Sequence, residues 1–144
     1  MQTRTIRHII EGQELLTTQS STTIAKAAKL MKKRRVGAIV VLDGLELAGI
    51  FTERDALYRV VAEGRDPKTT SVAEVMTSNP STVHPDSPFE NALELMHVGG
   101  FRHVPVVDCG RPIGMVSSRD AMGPELEQFM YALIVEEQNR DVLA

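Results

Sequence analysis

The sequence predicts an α/β (α+β) fold built from two tandem β-α-β-β-α units, with one further helix at the C-terminus. Three observations carry this. Residues 17–57 lie over residues 82–122 without a gap and share ten identities, among them Ala27/Ala92, Met31/Met96, Val41/Val106, Gly49/Gly114, Arg54/Arg119 and Asp55/Asp120. Such self-similarity marks a duplicated structural unit. Each copy carries an apolar stripe at helical spacing followed by a short β-branched run, the signatures of an amphipathic helix and a buried strand. Each copy then turns and ends a second apolar run in Thr or Ser, an N-cap residue for a closing helix.

In order, each unit opens on an extended piece, Leu15–Thr18 or Ser81–His84. Ser, Thr, Pro and Asp follow and introduce the helix. Its stripe is Ile24, Ala27, Ala28 and Met31 in the first unit, and Phe89, Ala92, Leu93 and Met96 in the second. Spacings of three, four and seven put these side chains on one face. The β-branched runs are Val36–Leu42 and Val104–Val107. They lead to turns at Asp43-Gly44 and Asp108-Cys109-Gly110; Asp-Gly is a strong hairpin signal. The second strands run Glu46–Phe51 and Pro112–Val116. A flanking segment precedes each unit, Thr5–Ile10 resembling Ser71–Met76. The expected organisation is a first repeat over 5–63, a polar Pro-containing linker over 64–70, a second repeat over 71–123, and an amphipathic helix and tail over 124–144. That helix carries Leu126, Phe129, Met130, Leu133 and Ile134 as one stripe.

Composition narrows the function. Apolar residues make up 42% of the chain, enough for a core, and 16 basic against 19 acidic residues give a net charge of −3. That balance argues against a nucleic-acid binder held by phosphate neutralisation. The apolar run Val36–Leu42 is too short to cross a bilayer, and Met1–Gly12 has no apolar signal-peptide core. The lone Cys109 excludes an internal disulfide and cannot build a cysteine zinc site by itself. No nucleophile elbow, Walker loop or metal-binding motif is present. His97 and His103 fit no compact metal site, so no metal and no catalytic residue is expected. A cytoplasmic, non-enzymatic protein is the expectation.

The chemistry-bearing segments are Thr52-Glu53-Arg54-Asp55 and Ser117-Ser118-Arg119-Asp120, each closing a Gly-led strand. A helix N-terminus offers unpaired N–H groups and favours anions. A carboxylate there can accept two hydrogen bonds from a vicinal diol such as a ribose, and arginine is a planar donor fork for phosphate. The same Thr/Ser-x-x-Asp pattern is also a capping box, and both readings stand at this point. Lys32-Lys33-Arg34-Arg35 complements a helix C-terminus or faces a ligand phosphate. Arg102 and His103 hold the place just before the second unit's strand. Met31 and Met96 read as core.

With Val36–Val41, Arg102–Asp108 and the Thr-x-x-Asp and Ser-x-x-Asp strand ends, the chain from Ile6 to Met122 resembles two copies of the cystathionine-β-synthase (CBS) domain. The resemblance implies a pseudo-twofold pair of repeats, a Bateman module, with two clefts that take adenosine-containing ligands such as AMP, ADP, ATP, NAD or S-adenosylmethionine. It places ribose and phosphate on Thr52 and Asp55, and on Ser117 and Asp120, beside the candidate phosphate forks Arg54 and Arg119. It places adenine near Thr17, Thr18 and Gln19 with Gly37, Ala38 and Ile39, and near Thr82, Val83 and His84 with His103, Val104 and Pro105. Arg34, Arg35, Arg102 and His103 become candidate phosphate contacts. The expected function is a regulatory module that needs no cofactor, binds an adenine nucleotide and signals to a target protein. The alternative is a constitutive interaction scaffold with no nucleotide ligand. Members of the family commonly pair through their helices, and the C-terminal stripe needs covering, so a homodimer is expected, with neither nucleic acid nor membrane as partner.

Overall fold

The computed structural model describes residues 4–121 and 123–143; Ala144, at the end of the expected tail, lies outside them. Short α1 (Ile6–Ile10) comes first, capped by Thr5, whose hydroxyl accepts from the His8 N–H. The first unit follows as β1 (Thr17–Gln19), α2 (Ile24–Arg34), β2 (Ala38–Asp43) and β3 (Glu46–Thr52). The chain then enters α3 (Glu53–Asp55), which widens into a π-helical turn over Ala56–Val61. A 3-10 turn, Val72–Glu74, and β4 (Thr77–Ser78) lead to the second unit. That unit comprises α4 (Phe89–Gly99), β5 (His103–Asp108), β6 (Arg111–Ser117) and a 3-10 turn over Ser118–Asp120. The last helix is α5 (Gly123–Leu143).

β1 runs parallel to β2, and β2 pairs antiparallel with β3, which pairs with β4. The second sheet repeats the hairpin as β5–β6. Its expected opening strand, Ser81–His84, contracts to one parallel bridge, Val83↔Val106, at the position equivalent to Thr18↔Val41. Pro80 and Pro85 bracket this segment; proline lacks the N–H a ladder needs. Both hairpins carry a register irregularity at the same point, Val41/Leu42 and Val106/Val107. Ala28, expected on the buried stripe of α2, is exposed, because Ile24, Ala27 and Met31 define the inward face.

Two apolar cores form, and each borrows from the other repeat's flank. Ile24, Ala27, Met31, Ile39, Val41 and Phe51 of the first unit enclose Val72 and Val75. Phe89, Leu93, Met96, Val104 and Val116 of the second enclose Ile6 and Ile10 from the chain's start. The exchange is fixed by backbone bonds: the Ile6 N–H donates to Ser87 O at 3.0 Å, and the Val72 N–H donates to Thr22 O at 2.8 Å. Burying such a side chain fully is worth about 1.5–3 kcal/mol, so each flank binds its host strongly. The duplicated Gly49 and Gly114 now have a reason. A Cβ on Gly49 would lie 2.6 Å from both Met76 Sδ and Thr77 O, and one on Gly114 would lie 2.8 Å from Ile10 Cδ1.

α5 docks through Phe129, whose ring meets His97 edge-on at 6.0 Å and packs on the second core. Leu126, Met130 and Ile134 remain exposed, and Leu133 is half-buried, so this chain covers the expected stripe only in part. Among the described residues no helix is long and apolar enough to cross a membrane.

Candidate functional site

Because β1 is parallel to β2 and β3 antiparallel to it, the start of β1, the start of β2 and the end of β3 all lie at one end of the sheet. The second unit shares this arrangement. These ends face each other, and two clefts open where they meet, of about 570 and 700 Å³. Small-molecule sites typically measure roughly 300–1,000 Å³. Each cleft is a composite. The first joins Gln13–Leu16 and Val36–Ala38 of the first unit to Ser117–Asp120 of the second. The second joins Pro80, Ser81 and Phe101–His103 of the second unit to Thr52–Asp55 of the first. The hydroxyl-and-Asp motif of one repeat thus completes the cleft whose other walls come from its twin.

The motif is in both cases also a helix cap. The Thr52 N–H donates to Asp55 Oδ2 at 3.0 Å, and the Asp55 N–H donates to Thr52 Oγ1 at 3.2 Å. Asp55 is only 8% exposed, and its other oxygen lies 3.7 Å from Arg59 Nε. The Ser117 N–H donates to Asp120 Oδ2 at 2.7 Å, but Asp120 is half-buried and keeps an open side toward the first cleft. The arginines differ as well. Arg54 donates to Gly100 O at 2.9 Å, tying the first motif to the end of α4. Arg119 donates no hydrogen bond and forms no ion pair among the described residues, and it lines the first cleft.

The remaining candidates divide. Gly37 and Ala38 line the first cleft, and His103 lines both. Ile39 and Val104 lie one step along their strands and Pro105 two, and all three are buried. Thr17, Thr18 and Gln19 form β1 itself, beyond the cleft wall. The Thr18 hydroxyl donates to Thr22 Oγ1, and the Gln19 amide is clamped to both backbone groups of Gly44. Thr82, Val83 and His84 likewise follow the wall formed by Pro80 and Ser81. Val83 is core, and His84 Nδ1 accepts from the Asp86 N–H. Arg34, Arg35 and Arg102 line the first cleft, and Arg102 reaches the second as well.

Gln13, Glu14, Tyr58, Phe101 and Glu53 escape the sequence reading. The alignment of the two units held the signal for Gln13 and Glu14, since the residues just before each first strand must reach the sheet end that carries the motif; Tyr58, Phe101 and Glu53 had no such signal. Gln13 extends β6 with its side chain: its Nε2 donates to Met115 O at 2.9 Å and its Oε1 accepts from the Met115 N–H at 2.7 Å. Glu53 sits on the seam between the clefts, where a Cβ on Gly37 would lie 2.9 Å from its Oε1.

His103 shares this seam. Burial pushes its imidazole below the ordinary value; the carboxylates of Glu53 and Asp120 oppose the shift and the guanidinium groups of Arg119 and Arg102 reinforce it. The unfolded chain therefore takes up this proton at a higher pH than the folded one. The associated stability is complete above about pH 6.5, falls as the pH drops from there through the lower folded value, and is flat beneath it. The urea midpoint should fall between pH 7.5 and 5.5 by more in the native chain than in His103→Gln. Parallel curves for the two proteins would refute the assignment.

A family model for the CBS domain matches this chain twice, over residues 6–62 and 72–123. The chain belongs to the CBS domain family. The CBS domain-containing protein YhcV of Bacillus subtilis is 38% identical over 113 residues, covering 75% of this chain and 80% of that protein. The CBS domain-containing protein CBSCBSPB2 of Arabidopsis thaliana is 43% identical over 102 residues, 70% of this chain. The chain spans about a fifth of the length of that protein and of two further Arabidopsis relatives. Among solved structures, the CBS domain protein PAE2072 of Pyrobaculum aerophilum, complexed with AMP, superposes with a TM-score of 0.79 at 25% identity, covering 89% of this chain and 99% of that one. A hexameric CBS-CP12 protein from bloom-forming cyanobacteria gives 0.75 at 31% identity over 83% of this chain and 67% of that one.

Proposed function

We propose that this CBS pair is a regulatory module that binds an adenine nucleotide between its repeats and passes the bound state to a target protein. One observation carries the reading: each cleft is completed by the hydroxyl, arginine and aspartate of the opposite repeat, so a bound ligand touches both units at once. A ligand that contacts both can bias their relative packing, provided it prefers one arrangement over the other. The complex of PAE2072 with AMP supports an adenosine-containing ligand here. CBSCBSPB2 and YhcV are both named as CBS domain-containing proteins, in keeping with a binding role. The scaffold reading has its best support at the second cleft, where Asp55 is buried and engaged by Thr52 and Arg59.

A thermal-shift series with AMP, ADP, ATP, NAD and S-adenosylmethionine tests the proposal, because a ligand that binds only the native state raises its apparent stability. No shift with any of them at millimolar levels would favour the scaffold. Calorimetry then separates the two aspartates. Asp120→Ala should weaken binding roughly ten- to a hundred-fold, the cost of hydrogen bonds to a charged group. Asp55→Ala should instead lower stability by roughly 1.5–3 kcal/mol through the lost capping-box bond from the Thr52 N–H to its carboxylate. Unchanged affinity in Asp120→Ala would remove its ribose role.

The module is also proposed to work as a homodimer through the uncovered face of α5. Light scattering should read twice the 15.9 kDa chain mass. Met130→Glu combined with Ile134→Glu should return it to a single chain. A dimer that survives both changes would place its seam on the repeat helices.

A further inference from the structure

The duplication aligns Arg34 and Arg35 at the end of α2 with Gly99 and Gly100 at the end of α4. Both helices end in the same backbone form, left-handed at Arg35 (φ 56°) and at Gly100 (φ 70°). Glycine adopts that form without strain, and a side chain with a Cβ does not. The first unit therefore tolerates a strained position that its twin fills with glycine, and the side chain so placed lines the first cleft. Arg35 donates no hydrogen bond from its guanidinium and forms no ion pair among the described residues, as is true of Arg119 across the cleft. In the second cleft the equivalent arginine, Arg54, is held by the Gly100 carbonyl, and Arg59 is held by the Val75 and Met76 carbonyls. The first cleft presents five cationic side chains against three carboxylates; the second presents three against two and adds Tyr58 and Phe101.

We infer that the two clefts divide ligand chemistry: the first holds an oligophosphate chain, with Arg35 and Arg119 as its specificity-determining groups, and the second takes a ligand of lower charge. This rests on the cleft reading above and adds to it the charge class that each cleft selects. Two unengaged guanidinium groups on opposite walls can each bind phosphate oxygens through paired N–H donors. The second cleft has no unengaged arginine of its own; only Arg102, on the shared seam, serves both.

The test is a titration of the full chain followed through its amide NMR signals. Gly37 and Ser118 report on the first cleft, Ser81 and Gly99 on the second. Inorganic tripolyphosphate should move the first pair at a concentration roughly ten-fold lower than the second, with the preference shrinking as salt screens it. Arg35→Gly copies the twin's residue and removes backbone strain, so stability should not fall, while tripolyphosphate affinity at the first cleft should drop at least about five-fold. Tripolyphosphate that moves both pairs together, moves the second pair first or moves neither overturns the assignment. So does an Arg35→Gly chain with native affinity. Adenosine, titrated in parallel, separates the two readings. If tripolyphosphate discriminates and adenosine moves no signal, the adenine reading fails and the charge division stands. If adenosine binds and tripolyphosphate does not discriminate, the reverse holds.

Discussion

Gly49→Ala should cost about 2–3 kcal/mol, at the upper end of what overpacking a close-packed site exacts. The added methyl would sit 2.6 Å from Met76 Sδ and from Thr77 O. The thioether can swing aside, but the carbonyl belongs to β4, which pairs with β3 at this residue through Gly49↔Ser78. The strand must move or the pairing must open. Gly114→Ala makes the informative comparison. The three atoms nearest its Cβ would all belong to the Ile10 side chain, at 2.8–3.0 Å, and a side chain yields more readily than a backbone carbonyl. Urea unfolding followed by circular dichroism should show a lower midpoint for both, with the larger fall at Gly49. A Gly114 variant that loses more than the Gly49 variant would contradict the backbone argument.

The second large effect is expected at the chain's beginning. Ile6→Ala removes a fully buried side chain and should cost about 2–5 kcal/mol, although it lies only six residues into the sequence. The loss should register in the second repeat's core. A double-mutant cycle checks this. Ile6→Ala with Phe89→Ala, both in one core, should be non-additive by roughly 0.5–3 kcal/mol. Ile6→Ala with Ile24→Ala, in separate cores, should add within about 0.5 kcal/mol. Coupling of Ile6 to Ile24 in place of Phe89 would refute the exchange of flanks.

The sequence carried most of the architecture because the repeat read itself twice. The α2 and α4 stripes, both hairpins and the Thr52 and Ser117 helix starts rest on local periodicity and capping, and local rules place them to within one or two residues. The alignment of Thr5–Ile10 with Ser71–Met76 was legible too. Its consequence was not, because which core a short apolar segment enters is decided by tertiary packing. The π-helical turn after Asp55 has no pattern of its own to announce it. At the clefts, residue types were readable and their pairing was not: Ser117–Asp120 faces Gln13–Leu16 only once the two sheets have met end to end. Thr17–Gln19 were displaced from the wall for a related reason, since the side chains that reach a sheet end are those just before the strand begins.

The exchange of flanks also sets an order of assembly. Arg4 reaches the Asp120 carbonyl across 116 residues of chain, and contacts that distant form slowly because the intervening loop must close first. A chain emerging N-terminus first can finish the first repeat once Val72 and Val75 are out, since every other part of that core is already made. α1 has no such early partner. Ile6 and Ile10 must stay unpaired through the synthesis of 79 residues before Phe89 exists, and of 106 before Val116 completes the set that receives them. This segment is made well before its partners and is among the last to be buried, and its docking closes the second repeat.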